Sequence, residues 1–442
     1  AARTADAGKD IGSAAAFYQA AHKADPDNLQ LLERAVILTA ASGDFDTALQ
    51  FSKRLVKDVP DSRAARLLRA IYAIRGKTYA NAISEVEKSG NGVLARLTNA
   101  LITAWAQFGR GDAGKALATI DAVEGPNWYE PFKLLHGGHI ALAAGETEEG
   151  LKRLRQAFER DRNAVRIVEA YARALAKSGE AEEAMTILEN FLIRFPDNAL
   201  ARATLAKIEA GGTVGAAVRT PSQGVAETLT GLGSAIGQEG GLELAALYIR
   251  GGLFLEPDIA GGLAALSLAN VLDSNGLGED AIAVLEAIDG EAPFRHLGML
   301  RAAMALDRIE RTEDAERAFK ESIARDPDDV QAYIAYGNML RGRERFADAA
   351  DVYSQAVKRI DTLARPNWTL FYFRGITYER SKQWDKAEAD FKTALELYPD
   401  QPLVLNYLGY SWIDQGLNLD EAFRMLRKAV DLRPQDGYIV DS

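Results

Sequence analysis

The hydrophobic residues of this chain recur at intervals of three and four positions within segments that short polar stretches separate. This spacing places the apolar side chains on one face of a helix. The segments come in pairs, and a glycine often stands between the two members, as at Gly43, Gly145, Gly179, Gly276 and Gly416. Glycine readily adopts the left-handed conformation that ends a helix. The pattern therefore predicts a succession of helical hairpins.

The hairpins recur every 34 residues in a first series and every 34 to 38 residues in a second, and a small residue marks the point where two helices cross. The first series is Ala14, Ala48, Ala82, Ala116, Gly150 and Ala184, and the second is Ala245, Ala281, Ala315, Ala349, Ala387 and Ala422. A proline often closes the second helix and is followed by aspartate, as in Pro26-Asp27 and Pro196-Asp197, where the aspartate is predicted to cap the next helix. Because one hairpin cannot bury its apolar face alone, the repeats are expected to stack into a solenoid.

An interval of 61 residues separates the two series. Residues 199–210 predict a first helix without a second, and the glycine-rich residues 211–224 predict a linker or an irregular insert. The sequence is therefore compatible with two arms, residues 1–210 and 225–442, or with one continuous superhelix that carries an insert. Residues 437–442 have the pattern of the start of a further repeat, so we expect the natural chain to continue beyond Ser442. Any targeting segment is expected upstream of Ala1.

The repeat signature is clearest near the end of the chain. There Tyr407-Leu408-Gly409-Tyr410 precedes Gly416, Ala422 and Pro434 at fixed intervals. These residues resemble the tetratricopeptide repeat (TPR). The resemblance implies an all-α, right-handed superhelical solenoid of about eleven to twelve helix-turn-helix repeats. It also implies a protein that binds other proteins and is not an enzyme.

Composition narrows the classes of partner. The chain has 63 acidic and 52 basic residues and a net charge of −11, which argues against nucleic-acid binding. No apolar run is long enough to span a membrane, so membrane attachment is expected only through a lipid anchor upstream of Ala1. Cysteine is absent from the sequence, which excludes disulfides, thiolate metal ligands and cysteine nucleophiles within it.

Three motifs resemble ligand-binding or metal-binding sequences, but a role in the fold explains each of them better. Residues 109–115 have the glycine and lysine spacing of a phosphate-binding loop, but Ala116 replaces the hydroxyl residue that would hold magnesium. Gly231, Gly233 and Gly237 only loosely match a dinucleotide motif. His136 and His139 are one helical turn apart but lack a third ligand at a usual spacing. The sequence thus predicts no catalytic residues, no metal and no cofactor.

In the TPR family the first helix of each repeat lines the inner groove. If the same positions of each first helix face the groove in this chain, they predict two sets of partner-binding residues. The C-terminal set is Asn270, Arg301, Arg308, Asn338, Arg341, Tyr372, Phe373, Arg380, Asn406, Tyr407 and Tyr410, and the N-terminal set is Trp105, Phe132, His136 and His139. The first set suits an extended peptide. The second suits an amphipathic helix from a partner or from the chain's own start, with ordinary packing between helices as the alternative.

The segment from Trp368 to Trp412 is similar to alphaproteobacterial envelope TPR lipoproteins that bind a carboxyl-terminal processing protease and present envelope proteins, such as cell-wall hydrolases, to it. The resemblance implies a periplasmic adaptor associated with the outer membrane. Two alternatives remain open: an envelope scaffold for polysaccharide export or outer-membrane biogenesis, and a cytoplasmic TPR regulator. The sequence fixes neither the identity of the partner nor the oligomeric state.

Overall fold

The structure is a computed structural model that describes residues 10–212 and 214–441. Within these ranges the chain forms α-helices and two short 3-10 helices, Ile259–Gly262 and Arg365–Asn367, and no strand. The all-α prediction is therefore confirmed. In chain order the α-helices are α1 Ile11–Ala24, α2 Leu29–Ser42, α3 Phe45–Asp58, α4 Arg63–Arg75, α5 Tyr79–Glu87, α6 Val93–Gly109, α7 Ala113–Ala122, α8 Tyr129–Ala144, α9 Thr147–Arg160, α10 Val165–Lys177, α11 Ala181–Arg194, α12 Ala199–Glu209, α13 Pro221–Gln238, α14 Leu242–Leu255, α15 Leu263–Asp273, α16 Gly278–Glu286, α17 Arg295–Arg308, α18 Thr312–Arg325, α19 Val330–Gly342, α20 Phe346–Val357, α21 Trp368–Arg380, α22 Trp384–Leu397, α23 Pro402–Asp414, α24 Leu419–Leu432 and α25 Gly437–Val440.

The glycines predicted to end the first helix of a hairpin have left-handed backbones. Their φ values are 104° at Gly43, 89° at Gly145, 92° at Gly179, 83° at Gly276 and 69° at Gly416. A side chain at such a residue would be strained, so glycine allows the turn between two antiparallel helices at little cost.

The helix caps are one residue later than predicted. Asn28, rather than Asp27, accepts a hydrogen bond from the Leu31 amide at 3.3 Å, and Asn198, rather than Asp197, accepts one from the Ala201 amide at 3.0 Å. The aspartate after each proline lies within the turn, so the next polar residue reaches the unpaired amides of the first helical turn.

The small residues that mark the repeat lie where the helices cross. Ala48, Ala82, Ala116 and Ala184 of the first series are fully buried, and so are all six alanines of the second series. Gly150 takes the same role in α9, where an added Cβ would lie 2.6 Å from Leu142. Small side chains at these positions therefore allow the paired helices to approach closely.

The chain divides into two compact units, one up to Ala305 and one from Leu306. The sequence had left open either a division at residues 211–224 or one continuous superhelix with an insert there. Helix α13 already starts at Pro221, where the Thr220 hydroxyl accepts from the Gln223 amide at 3.2 Å. Helices α13 and α14 belong to the first unit because they pack against helices of the preceding repeats. The predicted structures of residues 1–9 and Ser442 lie outside the described residues.

The second unit contains the hairpins α19–α20, α21–α22 and α23–α24, which follow one another along the chain. A core of aromatic and aliphatic side chains, including Phe371, Phe391, Leu408 and Trp412, joins the last two hairpins. In the part of the chain that the structure describes, none of the helices is both long and apolar enough to cross a membrane.

Candidate functional site

The inner face of the first repeats is filled by a later part of the same chain. We call α1–α12 (residues 11–209) the N-terminal array and α13–α14 (residues 221–255) the central hairpin. The central hairpin contacts α2, α4, α6 and α8, which are the first helices of four successive repeats. It therefore occupies the surface on which a TPR-like array would bind a partner.

Apolar contacts fix the central hairpin along most of its length. Gly224 lies directly against Trp105, and an added Cβ at this glycine would stand 2.0 Å from the indole Cε2. At the other end Phe254 stacks on Phe45 with ring centroids 4.7 Å apart, and the Arg75 guanidinium lies 4.1 Å from the Phe254 centroid. Such aromatic contacts add to the stabilisation from apolar burial.

Polar contacts fix the register of the hairpin in the array. Arg34 donates to both carboxylate oxygens of Glu243, each at 2.8 Å. The hydroxyls of Thr98 and Tyr248 are hydrogen-bonded at 3.1 Å in a buried position. Because a buried polar group without a partner is costly, the Thr98–Tyr248 pair disfavours any shifted arrangement of the two helices.

A buried ionic cluster joins the central hairpin to α10. Arg166 donates through Nε and Nη2 to the two oxygens of Glu227, at 2.8 and 2.7 Å, and it also pairs with Glu169, which in turn accepts from Arg173 at 2.6 Å. Burial alone would raise the pKa of Glu227, but the charge and hydrogen bonds of Arg166 bring that pKa below its ordinary value. The cluster thus holds two cations and two anions in balance.

Two histidines of α8 complete this region. The Trp105 indole donates to His136 Nδ1 at 3.2 Å, and His136 Nε2 lies 3.4 Å from the Thr228 hydroxyl of the central hairpin. His139 is 1% exposed, and neither of its ring nitrogens has a hydrogen-bond partner. Burial lowers the pKa of His136 to about 4 and that of His139 to about 3. Both rings are therefore neutral near pH 7.

The N-terminal candidates lie on the wall of the array that the central hairpin covers. Trp105, His136 and His139 are buried, and Phe132 Cε1 would lie 3.1 Å from a Cβ added at Gly231 of α13. The residues that sequence reasoning missed are Glu227, Thr228, Glu243, Tyr248 and Phe254. One signal pointed to them: α13 and α14 carry apolar or small residues on most sides, which is typical of a helix buried all round.

In the second unit, aromatic and cationic side chains follow the first helices of successive hairpins. The Arg341 guanidinium of α19 lies 4.4 Å from the centroid of Phe373 on α21. The rings of Tyr372 and Tyr407 meet edge to face at 6.0 Å, and the Tyr407 hydroxyl donates to Glu379 at 3.1 Å. Burial raises the pKa of Tyr372 to about 12, so its hydroxyl keeps its proton. These contacts connect α19, α21 and α23.

We call Arg341, Phe373, Arg380, Tyr407 and Tyr410 the arginine–aromatic row. Arg380 is exposed and lies 5.0 Å from the centroid of Phe346, and Tyr410 is 53% exposed. Among the described residues, neither Arg341 nor Arg380 has a carboxylate within ion-pair distance. The row therefore carries two uncompensated cations beside accessible rings, which are common anchors of protein interfaces.

Other arginines of this unit are neutralised by carboxylates of the chain. Arg343, two residues after Arg341, pairs with Asp307, and Arg374 makes two hydrogen bonds of 2.7 Å to Asp390. The contrast sets Arg341 and Arg380 apart from arginines whose role is to stabilise the fold.

The remaining C-terminal candidates differ in their exposure and in the unit to which they belong. Asn406 is 1% exposed and belongs to the packing of α23. Asn338 is half-buried and accepts from the Tyr353 hydroxyl at 2.8 Å. Asn270 and Arg301 are exposed on helices of the first unit, whereas Arg308 is exposed in the second.

The motif that resembles a phosphate-binding loop has a structural role. Gly109 ends α6, Gly111 has a φ of 87° in the turn, and Ala116 is buried at the helix crossing, so residues 109–115 connect two helices. Over residues 10–212 and 214–441, no three histidine, aspartate or glutamate side chains come together in a way that could hold a metal ion.

Comparison with known families agrees with the hairpin geometry. Models described as tetratricopeptide repeat match residues 7–71, 141–208, 300–364 and 368–401, which together make up just over half of the chain. The chain is a tetratricopeptide repeat protein. The TPR resemblance of the sequence is thereby confirmed, and members of this family generally act as scaffolds for protein interactions.

Curated relatives of this TPR protein match over part of their length. TPR repeat-containing protein PA4667 of Pseudomonas aeruginosa is 25% identical over 144 residues, which are 32% of this chain and 24% of that protein. Tetratricopeptide repeat protein 13 of Homo sapiens is 26% identical over 170 residues, which are 37% of this chain and 19% of that protein. The matched regions thus span less than a quarter of each relative.

Solved structures show remote likeness. A chain of the APC/C hetero-tetramer Cut9–Hcn1 is 13% identical, with a TM-score of 0.38, over 100% of this chain and 94% of that chain. YrrB, described as a TPR protein with an unusual peptide-binding site, is 18% identical, with a TM-score of 0.32, over 41% of this chain and 90% of that chain.

Proposed function

We propose that this TPR protein is a non-catalytic adaptor that binds a carboxyl-terminal processing protease and presents envelope proteins, such as cell-wall hydrolases, to it in the periplasm. The observation that carries the proposal is the arginine–aromatic row of the second unit. The similarity of the segment from Trp368 to Trp412 to envelope adaptors suggests the class of partner.

The row has the properties of a docking surface for a polypeptide. Arginine beside an accessible aromatic ring can pair with a carboxylate while the ring packs on an apolar side chain. Arg341 and Arg380 carry positive charge on a chain whose net charge is −11, so the row differs in sign from the protein as a whole. Charge complementarity therefore favours a partner segment that carries acidic residues.

The first unit supports the same assignment by exclusion. The inner face of the N-terminal array is occupied by the central hairpin in this conformation. A partner that binds a TPR inner face therefore finds the row of the second unit accessible, while Trp105 and His136 are covered. We assign the docking role to the second unit for this reason.

The test uses the full chain to capture proteins from envelope extracts of the source organism, with quantification of the processing protease. We expect the double variant Arg341→Ala/Arg380→Ala to recover at least about tenfold less protease, because truncation of an arginine that is a hot spot of an interface costs about 2 kcal/mol or more. The matched control is Arg317→Ala/Arg424→Ala, which removes two arginines that are 66% and 74% exposed and paired within their own helices.

Three outcomes decide the proposal. Recovery of the protease by the unmodified chain and the control, but not by the row variant, supports it. Equal recovery by all three chains would show that the row is not the docking surface. Absence of the protease, with export or outer-membrane assembly components in its place, would reject the adaptor role.

A further inference from the structure

The contact between the N-terminal array and the central hairpin depends on an unprotonated histidine. The Trp105 indole nitrogen is a donor only, and it points at His136 Nδ1 across 3.2 Å. Nδ1 must therefore be an acceptor, so the ring proton lies on Nε2, which faces the Thr228 hydroxyl at 3.4 Å. The Thr228 hydroxyl in turn donates to the Gly224 carbonyl at 2.9 Å. This chain of hydrogen bonds allows one tautomer of neutral His136.

A proton on His136 Nδ1 would place two donors against each other. The Trp105 bond would be lost, and the imidazolium would be enclosed between α6, α8 and the central hairpin. A buried charge without a hydrogen-bonded partner is strongly disfavoured. Opening of the contact relieves this cost because water then reaches the ring.

His139 is disfavoured as a cation for a related reason. It lies one turn from His136, with ring centroids 6.4 Å apart, and both of its nitrogens are buried without a hydrogen-bond partner. No acceptor is placed to receive the two N–H groups of a protonated ring. A second positive charge nearby would raise the cost further.

The charged groups that face these histidines are already balanced. Helix α10 contributes Arg166, Glu169 and Arg173, and the central hairpin contributes Glu227. Glu227 attracts a proton toward either ring, but both of its oxygens accept hydrogen bonds from Arg166, which repels the proton. Protonation would therefore add net positive charge to a neutral, buried cluster.

We propose that the contact between the N-terminal array and the central hairpin is an acid-sensitive latch, which opens when His136 and His139 are protonated and then exposes the inner face of the array. This inference concerns the first unit and does not rest on the adaptor role of the second.

The direction of the pH dependence follows from the histidine pKa values in the closed and open states. Burial lowers the pKa to about 4 for His136 and about 3 for His139 in the closed state. An exposed histidine has a pKa of about 6.5, so between about pH 6.5 and 4 the open state binds more protons. The closed state is therefore fully favoured above that window and loses stability as the pH falls through it. From pH 7.5 to pH 5.0, each histidine increases the opening equilibrium about 30-fold.

Thiol labelling measures this opening because the sequence contains no cysteine. The probe is Val225→Cys, at a fully buried position of α13, and the control is Ser322→Cys, at a fully buried position of α18 in the second unit. Each labelling rate is divided by that of a cysteine peptide at the same pH. We expect the normalised rate at residue 225 to rise at least about 30-fold from pH 7.5 to pH 5.0, while the rate at residue 322 changes much less.

Three histidine variants assign the effect in the Val225→Cys background. His136→Gln/His139→Leu removes both titrating groups and keeps an acceptor for Trp105, so the dependence on pH should fall to that of residue 322. His22→Gln removes another buried histidine of the array and should leave the dependence unchanged. If the double variant does not fold, His139→Leu alone replaces it. This single variant should remove about half of the pH dependence of the labelling rate on a logarithmic scale.

The proposal is overturned if the normalised rate at residue 225 is the same at both pH values. It is also overturned if the double variant, or His139→Leu alone, keeps the full dependence. An equal rise at residues 225 and 322 would show general acid destabilisation rather than a latch.

Discussion

Gly224 lies so close to Trp105 that a Cβ at this position would stand 2.0 Å from the indole ring. The backbone of the central hairpin thus rests on the largest buried side chain of the first unit. We expect Gly224→Ala to destabilise the protein by about 1–3 kcal/mol or more, because the close-packed neighbours must shift. Thermal unfolding followed by circular dichroism measures this change.

The matched control is Gly114→Ala. Gly114 lies in α7, and an added Cβ would meet no atom within 4 Å apart from its chain neighbours and the backbone of its own helix, so alanine should stabilise the helix by about 0.5–1 kcal/mol. If both substitutions have the same effect, the close approach of Gly224 to Trp105 is not what limits that position.

The indole N–H of Trp105 gives a second prediction. Trp105→Phe keeps an aromatic ring but leaves His136 Nδ1 buried without its donor, which should lower the free energy of unfolding by about 1–3 kcal/mol. Trp128→Phe is the control, because Trp128 is 42% exposed, and it should change stability by no more than about 0.5 kcal/mol. Comparable losses in the two variants would argue that the hydrogen bond contributes little.

A third prediction concerns the buried cluster of Arg166 and Glu227. Glu227→Gln removes one anion and leaves an excess positive charge in a buried site, so we expect a loss of about 3–5 kcal/mol in chemical denaturation. Glu421→Gln breaks a pair whose arginine is 74% exposed and should cost no more than about 0.5 kcal/mol. A small effect at Glu227 would mean that water or Glu169 compensates for the lost anion.

A fourth prediction concerns the second unit at low pH. Hydrogen bonds from Lys320 and Arg345 outweigh burial and lower the pKa of Glu316 to about 2. A lowered carboxylate pKa contributes stability above the unfolded pKa of about 4.5, and this contribution is lost as the pH falls toward 2. Since Glu316 is partly exposed, the loss should be at most about 1 kcal/mol.

The comparison of wild type with Glu316→Gln isolates this contribution. The thermal midpoint of the variant should lie below that of the wild type at pH 6, and the difference should shrink toward pH 2.5. A constant difference over this range would show that titration of Glu316 is not involved.

The candidate residues of the second unit show what the repeat pattern of the sequence can and cannot predict. Arg341, Phe373 and Tyr407 were predicted from the phase of the repeat, because that phase fixes which side of a first helix each residue occupies. Asn406 has the same phase but is buried. The position within the repeat indicates which side of the helix a side chain occupies, whereas its exposure depends on which neighbouring elements cover that side.

The sequence by itself determined the helical hairpins, their period, the left-handed glycines and the small residues at the crossings, because each of these depends on interactions within one repeat or between adjacent repeats. Only the tertiary structure decided that residues 221–255 fill the inner face of the N-terminal array. That arrangement joins residues as distant in sequence as Arg34 and Glu243. Such contacts follow from the path of the whole chain and leave no periodic trace in the sequence.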